Sequence, residues 1–260
     1  MVFWEGGVDS LRYYVVADPH GFYTLLETAL REKGFFDDES PHKLIVLGDL
    51  MDRGKEAVEM QDFILELMRK EEVILIRGNH EDLFRDFLLL DDCRYMEPHV
   101  SNGTYGTALQ LSRFDMTQAM IMPDTFAKRL TRTPYFETIM PAMRNFFETS
   151  QYVFVHGWIP AFREGRHLYS SISDWRSASL EEWEKARWYN GMDAVRTSCE
   201  EKTVVCGHWH TSYGHYLFEE RGSEFGVDAD FTPYYAPGII ALDSCVAHSG
   251  FVNCIVLEDE

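Results

Sequence analysis

The chain has 260 residues, 45% of them hydrophobic, and carries 43 acidic against 24 basic side chains for a formal net charge of −19 at pH 7. That length and apolar share suit one domain with a sizeable core, expected to span residues 1–260, while a field of this sign excludes broad nucleic-acid binding. The five cysteines, Cys93, Cys199, Cys206, Cys245 and Cys254, are odd in number and form no C-x-x-C pair, which excludes a disulfide framework and a thiolate zinc site and points to a reducing, cytoplasmic setting.

No run of about 18 apolar residues occurs that would cross a bilayer. Met1 to Ser10 has neither the basic residues nor the apolar run of a targeting segment, so no membrane association is expected. Strand and helix then alternate. Arg12 to Ala17 reads as a strand, Phe22 to Lys33 as a helix that Gly34 ends, and Lys43 to Leu47 as the next strand. Glu56 to Lys70 carries apolar residues at Met60, Ile64, Leu67 and Met68, the spacing of a helix with one buried face, and Glu72 to Ile76 returns as a strand.

From Asp91 to Ser150 the pattern weakens, with helices expected near Thr107 to Ser112 and Ile139 to Phe147 among Pro98, Pro123, Pro134 and Pro141. We expect an insertion or cap over 91–150. Four further apolar runs follow, Tyr152 to Val155, Thr203 to Cys206, Ile239 to Leu242 and Phe251 to Leu257, with a tryptophan-rich helix from Leu180 to Trp188 between the first two. Strands that alternate with helices early and cluster late predict an α/β fold of two packed mixed sheets flanked by helices.

Five short blocks follow apolar runs: Asp18-Pro19-His20-Gly21, Gly48-Asp49-Leu50-Met51-Asp52-Arg53-Gly54, Arg77-Gly78-Asn79-His80-Glu81, His156-Gly157 and Gly207-His208-Trp209-His210. Each starts where a strand should end, the edge at which open α/β sheets bind ligands. Between them they hold five of the ten histidines, with carboxylates and an asparagine suited to metal. Glycine beside these residues lets backbone and ligand approach closely. One such block alone is weak, since a lone D-x-H or G-H serves equally as a capped loop; the five together point to a reaction centre.

In order and wording the blocks resemble the calcineurin-like metallophosphoesterases, in particular the phosphoprotein phosphatase group and its bacterial relatives, the symmetrical diadenosine tetraphosphatases. The resemblance runs from Val15 to His210, and Ile239 to Leu257 is similar to the closing strands of that family. G-D-x-x-D-R-G and R-G-N-H-E are its specific motifs, and Asn102 to Thr107 faintly resembles a loop of the bacterial members. The resemblance implies a four-layer α/β/β/α sandwich and two metal ions, one held by Asp18, His20, Asp49 and His210, the other by Asp49, Asn79, His156 and His208, with Asp49 shared. Nitrogen and oxygen ligands without thiolate suit manganese, iron or zinc and do not choose sharply among them.

Arg53 is the candidate to grip phosphate, because a guanidinium offers paired donors that match phosphoryl oxygens. His80 is the candidate acid for the leaving oxygen, with Asp52 orienting it as the corresponding pair does in the resembled family. Glu81 and Arg77 read as supports of these groups. The family places a further arginine near phosphate, for which Arg187 is a candidate against the plainer reading of an exposed helix face. Trp158 stands where a second glycine is common and reads as a packed tryptophan at the cleft rim. His215 and His248 read as ordinary histidines.

Together these expectations describe a dinuclear phosphohydrolase that attacks phosphomonoesters directly with a hydroxide bridging the ions, without a phosphoenzyme. Its expected partner is a phosphorylated protein, of the serine/threonine phosphatase kind, or a small phosphate ester. The alternatives are a symmetrical dinucleoside tetraphosphate hydrolase and a non-catalytic scaffold that keeps the fold. No residue pattern sets the oligomeric state.

Overall fold

The computed structural model describes residues 11–89, 96–165, 168–194 and 201–259. Met1 to Ser10, Cys93, Cys199 and the start of the expected insertion, Asp91 to Tyr95, lie outside the described residues. Strand β1 (Leu11–Val16), helix α1 (Tyr23–Glu32), β2 (His42–Val46), α2 (Ala57–Arg69) and β3 (Val73–Leu75) follow the predicted order within a residue or so. Gly34 ends the first helix in the left-handed region at φ 84°, where a side chain would be strained.

Helix α3 (Asn79–Leu88) begins inside the third block, and α4 (Glu97–Ser101), α5 (Thr104–Ser112), α6 (Met116–Ile121) and α7 (Pro123–Leu130) come after it. Helices α5, α6 and α7 share one core with α2 and α3 through Ala108, Leu111, Ala119, Phe126 and Leu130. The helix expected over Ile139 to Phe147 is not formed. The chain makes a π turn (Tyr135–Ile139) and one helical turn, α8 (Met140–Ala142), then extends into β4 (Phe147–Glu148). The cause is pairing: Arg144 donates its N–H to the Leu75 carbonyl at 2.9 Å and accepts from Arg77 N–H at 2.8 Å, so the edge of β3 captures this segment in extended form.

The remaining elements are β5 (Tyr152–Phe154), the hairpin β6 (Ala161–Glu164) and β7 (Leu168–Ser171), α9 (Leu180–Ala186), β8 (Thr203–Cys206), α10 (Ser212–Phe218), β9 (Tyr234–Ala236), β10 (Ile239–Ala241), α11 (Val246–Ser249) and β11 (Cys254–Asp259). One sheet has the order β11-β1-β2-β3 and the other β4-β5-β8-β10-β9. Both are mixed, with a parallel centre and antiparallel edges at β11, β4 and β9.

Side-chain alternation then produces the layers. Tyr13, Val15, Ile45, Phe154, Val205 and Ile240 point between the sheets. Their neighbours Tyr14, Val16, Leu44 and Val46 meet α1 and α2, while Val153, Val204 and Ile239 pack with the aromatic shell of Trp158, Trp175 and Trp183. Each fully buried aliphatic side chain contributes about 1.5–3 kcal/mol. A one-residue slip in any central strand would turn both faces at once, which fixes the register and so the positions of the strand ends.

Candidate metal centre

The five blocks follow the carboxyl ends of β1, β2, β3, β5 and β8, as the sequence predicts. Their backbone is unusual. Ten described residues other than glycine have positive φ, and six of them are Asp18, His20, Asp49, Asp52, Arg53 and His208. Such conformations cost on the order of 1–3 kcal/mol each and persist where the surroundings over-determine them. Close approach demands glycine at several of these positions: a Cβ on Gly78 would fall on Asp49 Oδ1, and one on Gly207 on Asp18 Oδ2.

Two groups of ligand-type atoms converge within 4.8 Å, His20, Asp49 and His80 in one and Asp49, His156 and His208 in the other, with Asp49 in both. The hydrogen bonds fix the tautomers. His20 Nδ1–H donates to the Met51 carbonyl at 3.1 Å and His156 Nδ1–H to that of Leu47 at 2.6 Å, which leaves each Nε2 with a bare lone pair. Nε2 of His156 nonetheless lies 2.8 Å from Asn79 Oδ1 and 3.3 Å from Asp49 Oδ1.

Three acceptors therefore crowd together with no proton between them, because burial lowers the pKa of His156 and keeps its ring neutral. Burial acts the same way on His20, and holds His208 down at about 3. A cation satisfies such a set, and nitrogen and oxygen donors are what a divalent metal takes. Asp18 adds to the fit. Its Oδ2 accepts His208 N–H at 2.9 Å, while Oδ1 is buried without a hydrogen-bond partner.

The groups beside these candidate ligands are also closely held. His80 Nδ1 is 2.7 Å from Asp52 Oδ2, and Nη2 of the exposed Arg53 is 3.4 Å from His80 Nε2. Burial lowers the pKa of His80, while Asp49 and Asp52 raise it and prevail. Glu81 is fully buried and ties two blocks together, since Oε2 accepts from Gly78 and Asp49 N–H at 2.7 and 3.1 Å and Oε1 from Leu50 N–H at 3.0 Å and the Tyr135 hydroxyl at 3.1 Å. Burial first, and Asp49 second, push its carboxyl up to about 7. Arg77 pairs with Asp82 at 2.9 Å.

His210 stands apart from both groups. Its Nε2 is 3.0 Å from Glu224 Oε1, and its ring packs on Phe225 and Trp209. Arg187 is neither on an exposed face nor free: it is buried, with Nη1 2.6 Å from Asp82 Oδ2 and Nη2 2.6 Å from Asn145 Oδ1. Trp158 is packed as expected, but at 2% exposed it lies in the core outside the second sheet and not at the rim. The tryptophans beside the cluster are Trp209 and the 52% exposed Trp188, which is edge-on to His208 with ring centroids 5.8 Å apart. His215 is locked between Glu219 and the Thr232 carbonyl, and His248 packs on Phe231.

Several residues at the site escaped the sequence reading. Thr104 Oγ1 donates to Asp52 Oδ2 at 2.9 Å and Thr107 Oγ1 accepts Asp52 N–H at 3.0 Å, so the first turn of α5 clamps the Asp52 turn. Asp243 is buried just past β10, with a carboxyl pushed by burial up to about 6. The rule that found the five blocks, a ligand-type residue just after an apolar run, also selects it. Glu224 and Tyr135 have no local signal.

A layered sandwich with carboxylates and imidazoles at its parallel strand ends defines a metal-site fold of the phosphoesterase class. The chain belongs to the calcineurin-like phosphoesterase family, whose model matches residues 11–212. It is 33% identical over 117 residues to serine/threonine-protein phosphatase 2 of Salmonella typhimurium, covering 45% of this chain and 49% of that protein. It is also 29% identical over 83 residues to the asymmetrical bis(5'-nucleosyl)-tetraphosphatase PrpE of Anoxybacillus flavithermus, covering 29% of this chain and 34% of that one. The chain thus spans half or less of the length of these curated relatives. In fold it is similar to a cold-active protein-tyrosine phosphatase of a psychrophilic Shewanella, at TM-score 0.54 and 18% identity over 96% of this chain and 76% of the other. No helix among the described residues is long and apolar enough to cross a membrane.

Proposed function

We propose that this chain is a metal-dependent phosphohydrolase acting on phosphomonoesters, with serine/threonine phosphoproteins as the leading substrate class. The observation that carries the reading is the crowding of His156 Nε2, Asn79 Oδ1 and Asp49 Oδ1 without a proton among them, beside an exposed arginine and a buried His–Asp pair. Two ions of manganese, iron or zinc fit the residues, with Asp49 common to both, Asp18 and His20 on one side and Asn79, His156 and His208 on the other; His210 would join the first by leaving Glu224. Bound metal supplies Lewis acidity and a water of lowered pKa.

The chain's own groups do the rest. Arg53 grips the phosphoryl oxygens with paired donors. Asp52 holds His80 in one orientation, and His80 gives a proton to the departing oxygen. Glu81 anchors the Asp49 and Asn79 turns and touches no substrate. We read residues 1–260 as one domain, with the helices of 97–142 as the wall that presents Thr104 and Thr107 to Asp52, and the free thiols of Cys206, Cys245 and Cys254 support a cytoplasmic setting.

A second reading, cleavage of a dinucleoside tetraphosphate, draws support from Trp188, Trp209 and Phe225, which are exposed beside His208 and His210 and suit stacking on a base. Side-by-side assay of phosphopeptides, mononucleotides and dinucleoside polyphosphates, with manganese and after metal stripping, separates these readings. Turnover of none of them with any divalent metal would leave only a scaffold.

A further inference from the structure

In a chain this acidic, cations without a carboxylate partner are not expected to gather, yet four of them surround one cleft of about 630 Å³. Arg113 caps the end of α5, Lys128 and Arg129 lie on α7, and Arg132 follows it; Gln61 and Asp62 of α2 form the opposite wall, and Asp62 is the one carboxylate in the lining. All four cations are exposed, and among the described residues none lies within 4 Å of a carboxylate. Salt bridges occupy arginines elsewhere, as with Arg12, Arg85, Arg176 and Arg221. The four positive charges therefore act together on whatever enters the cleft, with a single opposing charge.

One contact restrains these heads. The guanidinium of Arg129 sits over the Phe114 ring, 5.7 Å from its centroid, which limits its rotation. Three of the four heads are guanidiniums, whose planar paired donors match the oxygens of a phosphate. The size is that of a small-molecule site and not of a protein interface.

We propose that this cleft binds a small oligophosphate, at a site distinct from the metal centre and built on α2, α5 and α7. The probe is inorganic tripolyphosphate, titrated calorimetrically into the full chain as isolated. Lys128→Glu/Arg132→Glu should weaken binding by roughly tenfold or more, and raised salt should weaken it further. Arg53→Ala should leave this binding unchanged. The charge-reversed protein should also hydrolyse an aryl phosphate as the parent does, which confirms that it is folded. The proposal is overturned if the double variant binds as the parent does, if Arg53→Ala abolishes binding, if tripolyphosphate does not bind, or if a phosphopeptide of equal charge binds more tightly than tripolyphosphate.

Discussion

Oδ2 of Asp52 lies 2.7 Å from Nδ1 of His80, and the two side chains are 1% and 4% exposed. The same oxygen accepts a hydrogen bond from Thr104, so the carboxylate is held from two sides and the imidazole can turn only with it. His80 thereby keeps Nε2 toward Asp49 and Arg53, where a leaving group would have to be met.

If His80 donates the proton, His80→Asn should matter most for esters with a basic leaving group. An alkyl phosphate such as phosphoserine should lose about 10²–10⁴-fold in turnover, and nitrophenyl phosphate distinctly less, because phenolate needs little protonation. Both substrates are to be measured on one metal-loaded preparation of known metal content. Equal losses would assign His80 to holding Asn79 or phosphate.

Asp49 belongs to both ligand groups, whereas His210 is engaged with Glu224. Asp49→Asn should therefore lower metal content at both positions, and His210→Ala at one. Elemental analysis per chain reads the outcome directly. Undiminished loading of Asp49→Asn would remove its shared role.

Glu81 accepts four hydrogen bonds in a buried setting, three from backbone N–H groups and one from Tyr135. Glu81→Gln turns an NH₂ toward donors, leaving buried groups unpaired at a cost of about 1–3 kcal/mol. Tyr135→Phe removes one bond and should cost about 0.5–1.5 kcal/mol. Thermal denaturation should rank the two in that order; equal or negligible shifts in Tm would show that Glu81 does not anchor the turns.

Hydrogen bonds from Arg176 hold the Glu148 carboxyl down at about 2, against its part burial and with help from Lys202. A depressed folded pKa means that this contribution to stability is complete above the ordinary value of 4.5 and is lost as pH falls from there toward about 2. The parent's Tm should fall across that window, and Glu148→Gln should be less stable at neutral pH and lose less on acidification. Parallel acid profiles of the two proteins would show that the pair contributes nothing.

Much of the site was legible in the chain because its candidate metal-binding residues are local to strand ends. An apolar run fixes a strand by its own burial, and Asp18, Asp49, Asn79, His156 and His208 each follow one within a few residues. Periodicity alone therefore placed the first five elements and the edge at which the chemistry sits.

What only the tertiary structure decided depends on partners distant in the chain. Ile139 to Phe147 reads as helix until the edge of β3 pairs with Arg144 and draws it straight. Arg187 reads as a surface residue until Asp82, 105 residues earlier, and Asn145 take its guanidinium into the interior. Trp158 reads as a tryptophan at the cleft rim for the same reason, since its cover is the second sheet's outer core, which Trp183 and Ala186 of α9 help to form. Spacing names the residues that want a ligand; packing across the two sheets determines which of their atoms remain unpaired.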